Sequence, residues 1–117
     1  MADEKITISE LKNYMRRFVD RRNWQQFHSP KNLAMGLAIE TGELLEHFQW
    51  ISEQQSREVV RNEKEMALVK EEVADVFSYL LALTETMGID LSEAFYDKMK
   101  RNDAKYPAEK YYGRYKI

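Results

Sequence analysis

Glu40 and Glu43 stand three residues apart, and so do Glu72 and Asp75, with 28 residues between the two pairs. On an α-helix, residues three apart point the same way, so each pair would present two carboxylates on one face. A ring with a polar handle follows four positions after each pair, His47 after Glu43 and Tyr79 after Asp75. Glu40 falls at the edge of the apolar stripe Leu33, Leu37, Leu44 and Ile51, while Glu72 lies beside Val69, Val76 and Leu83. Carboxylates beside a core surface do not remain unpaired anions; burial raises their pKa unless a cation reaches them. Lys64 and Lys70 fall elsewhere on the helical wheel. A hard divalent cation such as Mg2+ suits four converging acids, because it takes oxygen ligands and keeps some of its waters. One such pair on a solvated helix face would mean little. Two pairs beside the apolar stripes of neighbouring helices point to a shared site. Glu46 and Glu71 fall on the far sides of their helices as ordinary surface charge, and Glu65 serves as a capping partner at a helix start.

The elements that must position these acids can be read from caps and periodicity. Thr7 caps a first helix over about 7–23, with Glu10 placed to reach back to it. Trp24 to His28 reads as a connector. Ser29-Pro30 opens a second helix, serine as cap and proline in the first turn, running to about Trp50. That helix is apolar nearly all round, with Met35, Ile39 and Trp50 on a second side, as expected of a subunit interface. Residues 52–63 read as a polar loop with at most a short helical turn. Asn62 caps a third helix that stops at Gly88. Asp90 and Glu93 start a fourth, to about Ala104, before Pro107 forbids continuation. The expected fold class is all-α, a four-helix bundle with short connections. One domain over 1–117 is expected, with its core at about 7–107 and a tail at 108–117 without clear period.

Composition narrows the field further. The 117 residues hold four Gly and two Pro, too few for an all-β chain with frequent turns. There is no Cys, which excludes disulfides, thiolate metal sites and a cysteine nucleophile. Met1 to Lys5 is polar, without a signal-peptide core, and no apolar run approaches the roughly 18 residues of a membrane span. A cytoplasmic chain with no membrane partner is the expectation. A di-iron carboxylate bundle fits poorly, because that class uses Glu-x-x-His pairs and neither His28 nor His47 stands three residues after a Glu.

The pattern Glu40-Thr-Gly-Glu43 followed by Glu72-Val-Ala-Asp75 resembles the signature of the MazG-like all-α nucleoside triphosphate pyrophosphohydrolases. The flanks Trp24-Gln-Gln-Phe-His28, Ser29-Pro-Lys-Asn-Leu33, Phe48-Gln-Trp50, and Lys98-Met99 to Tyr106-Pro107 look like its dCTP pyrophosphatase branch. The resemblance covers roughly residues 7–107 and leaves the tail out. It implies hydrolysis of a (deoxy)nucleoside triphosphate to the monophosphate and pyrophosphate. Mg2+ would be held by Glu40, Glu43, Glu72 and Asp75, with Mn2+, which accepts the same oxygen ligands, as a substitute. It further implies that Trp24, His28, Trp50 and Tyr79 surround base and sugar, that Lys98 and Asn102 meet the nucleotide or its phosphates, and that the chain forms dimers or tetramers. Lys31, in an exposed first turn, is a weaker candidate. His47 is left out, since a lone histidine on a helix stripe is usually a satisfied core or interface residue.

The competing reading is a non-catalytic helical module that binds a partner through the second apolar side of helix two. Charge distribution favours the enzyme. Residues 1–97 carry 11 basic and 18 acidic side chains, a net −7, whereas residues 98–117 carry seven and two, a net +5. An acidic centre beside a basic rim suits a magnesium–triphosphate substrate. The basic stretch is too short, and too close to acid, for a nucleic-acid polymer.

Overall fold

Each long helix begins where a side chain satisfies the free N–H groups of its first turn. In the computed structural model, which describes residues 1–115, these caps are Thr7, Ser29, Asn62 and Asp90, accepting from the backbone N–H of Glu10, Asn32, Glu65 and Glu93 at 2.9–3.2 Å. The helices they open are α1 (Ile8–Arg21), α2 (Pro30–Glu46), α4 (Glu63–Met87) and α5 (Leu91–Lys105). Two short ones complete the set, α3 (Glu53–Glu58) and α6 (Ala108–Tyr111), and no strand occurs among the described residues. Lys116 and Ile117, the end of the expected tail, lie outside the described residues.

Three places differ from the sequence reading: the end of α2, the 52–63 stretch, and the start of the expected tail, where Ala108–Tyr111 is helical. Helix α2 ends at Glu46 rather than near Trp50, and its hydrogen bonds shorten to i→i−3, as from His47 to Leu44 at 3.2 Å and from Phe48 to Leu45 at 2.9 Å. The cause lies just beyond. Ser52 and Gln55 form a reciprocal capping box that holds Ser52 extended and opens α3, so α2 must stop before it. The polar stretch read as a loop is thus largely α3 and a 3-10 turn over Val59–Arg61. Helix α4 ends as expected, with Gly88 left-handed at φ 64°.

Helix α4 is the hub. It packs along α2 and, less extensively, against α1. Val19 of α1, Leu33 of α2 and Leu81, Ala82 and Thr84 of α4 are the buried residues, and the Thr84 hydroxyl donates back to Leu80 and Leu81 carbonyls at 2.9 and 3.0 Å. The Lys12 ammonium donates to the Ile89 carbonyl and ties α1 to the α4–α5 turn. Helix α5 makes only marginal contact with the others and buries none of its residues. The four expected long helices are all present, but only α1, α2 and α4 pack together within the chain. The radius of gyration is 17.4 Å, against about 13 Å for a compact domain of about 100 residues.

Candidate carboxylate centre and aromatic slot

Helices α2 and α4 run antiparallel, and their facing residues form a ladder. Gly36 faces Tyr79, and further along the seam Glu43 and then His47 approach Glu72. The spacing Gly36, Glu40, Glu43 on α2 is the spacing Tyr79, Asp75, Glu72 on α4 read backwards. Two rungs therefore carry acids and the third carries a glycine against a ring.

One carboxylate oxygen from each of Glu40, Glu43 and Glu72 lies within 4.8 Å of the other two. The Oε2 atoms of Glu40 and Glu72 are shielded from solvent and have no hydrogen-bond partner. Burial, then a shared hydrogen bond with Glu43, then the charges of Glu43, Asp75 and Glu72 push the Glu40 carboxyl above its ordinary value. Glu72 is raised by burial, then by the charge and hydrogen bond of Glu43 and the charge of Asp75, with His47 partly offsetting them. Asp75 is exposed and stands outside the three-oxygen group, near enough for its charge to act on both.

The donor set is all oxygen, clustered, and includes two orphaned shielded atoms. It fits a hard divalent cation, whose charge would hold these carboxyls ionised. His47, set aside on sequence grounds, brings Nε2 to 4.0 Å from Glu72 Oε1, with both side chains about one-fifth exposed. Its place four residues after Glu43, on the same helix face, was the available signal.

One turn beyond Asp75, about 6 Å along the helix axis, lies an aromatic slot. Trp24, His28 and Tyr79 line it together with Met15, Phe18, Ser78 and Ala82, enclosing about 130 Å³. Trp24 is placed by the end of α1. Asn23 turns left-handed at φ 54°, and the Trp24 N–H reaches back to the Val19 carbonyl at 3.1 Å. The Trp24 ring meets Phe18 edge-on at 6.0 Å, with the Arg22 guanidinium 3.8 Å over Phe18. A larger cavity of about 310 Å³ adjoins the slot, sharing Met15, His28 and Ala82 and rimmed by Arg16, Asp20, Gln25 and Glu85. The rim is internally paired, Gln25 to Asp20 at 2.5 Å and Arg16 to Glu85 at 3.4 Å.

Other expected site residues are not brought to this place within one chain. Trp50 lies past the end of α2 and is 84% exposed. Lys98 is exposed on α5, and Asn102 turns its amide to the Met99 sulfur at 3.7 Å. Lys31 is exposed in the first turn of α2. Among the described residues no ion pair joins an α5 cation to the seam acids.

Fold and site together define an all-helical protein with a carboxylate centre on an antiparallel helix seam and an aromatic slot one turn away. The chain belongs to the MazG-like family, which it matches over residues 36–116. It is similar to dCTP pyrophosphatase 1 of Rattus norvegicus and of Mus musculus, each 39% identical over 101 residues, which are 86% of this chain and 59% of theirs. To the Homo sapiens protein of that name it is 37% identical over 102 residues, 87% of this chain and 60% of the other. The chain thus spans about three-fifths of the length of these curated relatives. It is also similar to the crystal structure of a pyrophosphatase from Archaeoglobus fulgidus, 45% identical with a TM-score of 0.78, covering 85% of this chain and 91% of that one. No helix among the described residues is long and apolar enough to cross a membrane.

Proposed function

We propose that this chain hydrolyses a (deoxy)nucleoside triphosphate, dCTP or a related dNTP, to the monophosphate and pyrophosphate, and so clears the cytoplasmic nucleotide pool. The observation that carries this is the group of three carboxylate oxygens within 4.8 Å, two of whose side chains keep an unpartnered shielded oxygen. The family and the names of the relatives support the same reading.

Glu40, Glu43 and Glu72, with Asp75 at the edge, would hold Mg2+, or Mn2+ in its place. The bound ion supplies neutralising charge for the phosphates and lowers the pKa of water. The protein supplies position. The acids sit on two rigid helices, so the phosphates would be fixed relative to the slot, and a carboxylate of the cluster, or a water it positions, would accept the proton of the attacking water. Trp24, His28 and Tyr79 receive base and sugar, with the orientation of Trp24 set by Asn23 and Phe18.

Self-association completes the site in this reading. Met35, Ile39 and Trp50 are 53%, 61% and 84% exposed, and Phe95 of α5 is 57% exposed. A second copy laid on these surfaces, as a dimer or tetramer, would close the bundle and bring Trp50, Lys98 and Asn102 toward a neighbouring slot.

Pyrophosphate release from a panel of dNTPs with Mg2+ tests the activity. A thermal shift with Mg2+ and a non-hydrolysable dNTP separates it from a non-catalytic module, because only a chain that binds both is stabilised more by the pair than by either alone.

A further inference from the structure

Glycine in the middle of a helix costs stability relative to alanine, so its presence at Gly36 calls for a reason. Gly36 is inside α2, one turn before Glu40, on the seam with α4. A Cβ placed there would lie 2.3 Å from Tyr79 Cε1, 2.8 Å from Cδ1 and 2.9 Å from Cζ. The ring of Tyr79 therefore rests on the bare backbone of α2, closer than any side chain permits. Gly42, on the same helix, has nothing within 4 Å of the corresponding point and shows no such contact.

Tyr79 lines the aromatic slot with Trp24 and His28. The slot encloses only about 130 Å³, so a ring moved by an ångström changes what it admits. We propose that Gly36 is a positioning residue: by leaving room for Tyr79 on the α2 backbone, it sets the width of the slot that receives the base and sugar. Gly36 touches no substrate and acts through Tyr79. The neighbouring rungs of the same ladder carry the acids, so the width of the slot is set by the helix pair that holds the carboxylate centre. This inference rests on the proposed reading of the slot.

The test is a two-by-two set of full-length chains: wild type, Gly36→Ala, Tyr79→Ala and the double variant. Each is measured for kcat and KM with dCTP and Mg2+, and for Tm. Gly36→Ala alone should raise KM about fivefold with kcat held within about twofold. In the Tyr79→Ala background it should leave KM unchanged within about twofold and raise Tm, as alanine does in an open helix interior. An unchanged KM in Gly36→Ala, or the same KM rise in both backgrounds, overturns the proposal. Should Gly36→Ala alone fail to fold, the Gly36→Ala/Tyr79→Leu chain is compared with Tyr79→Leu. Matching KM values support the ring as the obstacle, and a further rise overturns it. If the wild type releases pyrophosphate from no dNTP, the proposed activity falls on its own. The slot is then scored by quenching of tryptophan fluorescence with dCMP, weakened in Gly36→Ala if the proposal holds; no quench in the wild type overturns both.

Discussion

The α2–α4 seam and α5 were both expected to meet the nucleotide, and the structure treats them differently. The seam is assembled within one chain: Glu40, Glu43 and Glu72 converge, one oxygen each of Glu40 and Glu72 is shielded, and its aromatic slot is walled by α1 and α4. Helix α5 carries Lys98 and Asn102 but buries nothing and packs on little. The difference has a physical source. Metal-type chemistry needs several oxygens fixed within a few ångströms, which two rigid antiparallel helices provide. Phosphate contacts by long cationic side chains tolerate more distance and can come from an element anchored elsewhere. Under the proposed function, a chain this small would keep its carboxylate centre to itself and take the rest of its envelope from a neighbouring copy.

Removing a seam acid should have the largest effect. Glu43 faces both Glu40 and Glu72, so Glu43→Gln should lower kcat by on the order of a thousandfold, equivalent to about 4 kcal/mol of transition-state stabilisation. The far-ultraviolet circular dichroism should stay that of the wild type. Turnover like the wild type's would break the contrast, because the seam would no longer be the reactive part.

Replacing an α5 cation comes next. Lys98→Ala should raise KM about tenfold with kcat little changed, the signature of lost binding rather than lost chemistry. The sharper form mixes Lys98→Ala chains with Glu43→Gln chains. Assayed at dNTP well below the wild type's KM, where Lys98→Ala sites run at about a tenth of the normal rate, half of the mixed dimers' sites are intact if α5 serves the neighbouring copy, and activity should recover to about a quarter of the wild type's. If α5 serves its own chain, every mixed site keeps one defect and nothing is recovered.

The seam was also the more legible region. Its acids could be found because helical spacing is fixed by backbone geometry, and the caps Thr7, Ser29, Asn62 and Asp90 mark helix starts through local hydrogen bonds. The end of α2 is hidden in the sequence because the Ser52–Gln55 box competes with an apolar periodicity that runs on to Ile51. The meeting of Gly36 with Tyr79 depends on the register of two helices, which neither sequence segment carries alone. His47 reads from its own helix as a lone histidine on a stripe, and its neighbour Glu72 sits on the other helix, where no single segment shows it. Helix α5 is legible as a helix, but its packing does not follow from its own residues, since Phe95 and Met99 remain 57% and 41% exposed.

The smallest predicted effect is on stability without metal, and it separates the seam from the rest of the surface. Glu40 and Glu72 hold their protons more tightly folded than their ordinary value of 4.5 allows, chiefly through burial and then through Glu43. The folded chain therefore binds more protons than the unfolded one just above that pH. This contribution is fully present below the unfolded value and is lost as pH rises through the raised folded values. In EDTA, Tm should fall as pH climbs from about 4.5 toward neutrality, and Mg2+ should flatten the fall by pairing with the ionised carboxylates. Glu43→Gln removes the charge that acts on both partners, so its EDTA curve should be flatter and lie higher at neutral pH. A difference between the two chains that grows toward acid rather than toward neutrality would show that the strain does not reside in the seam.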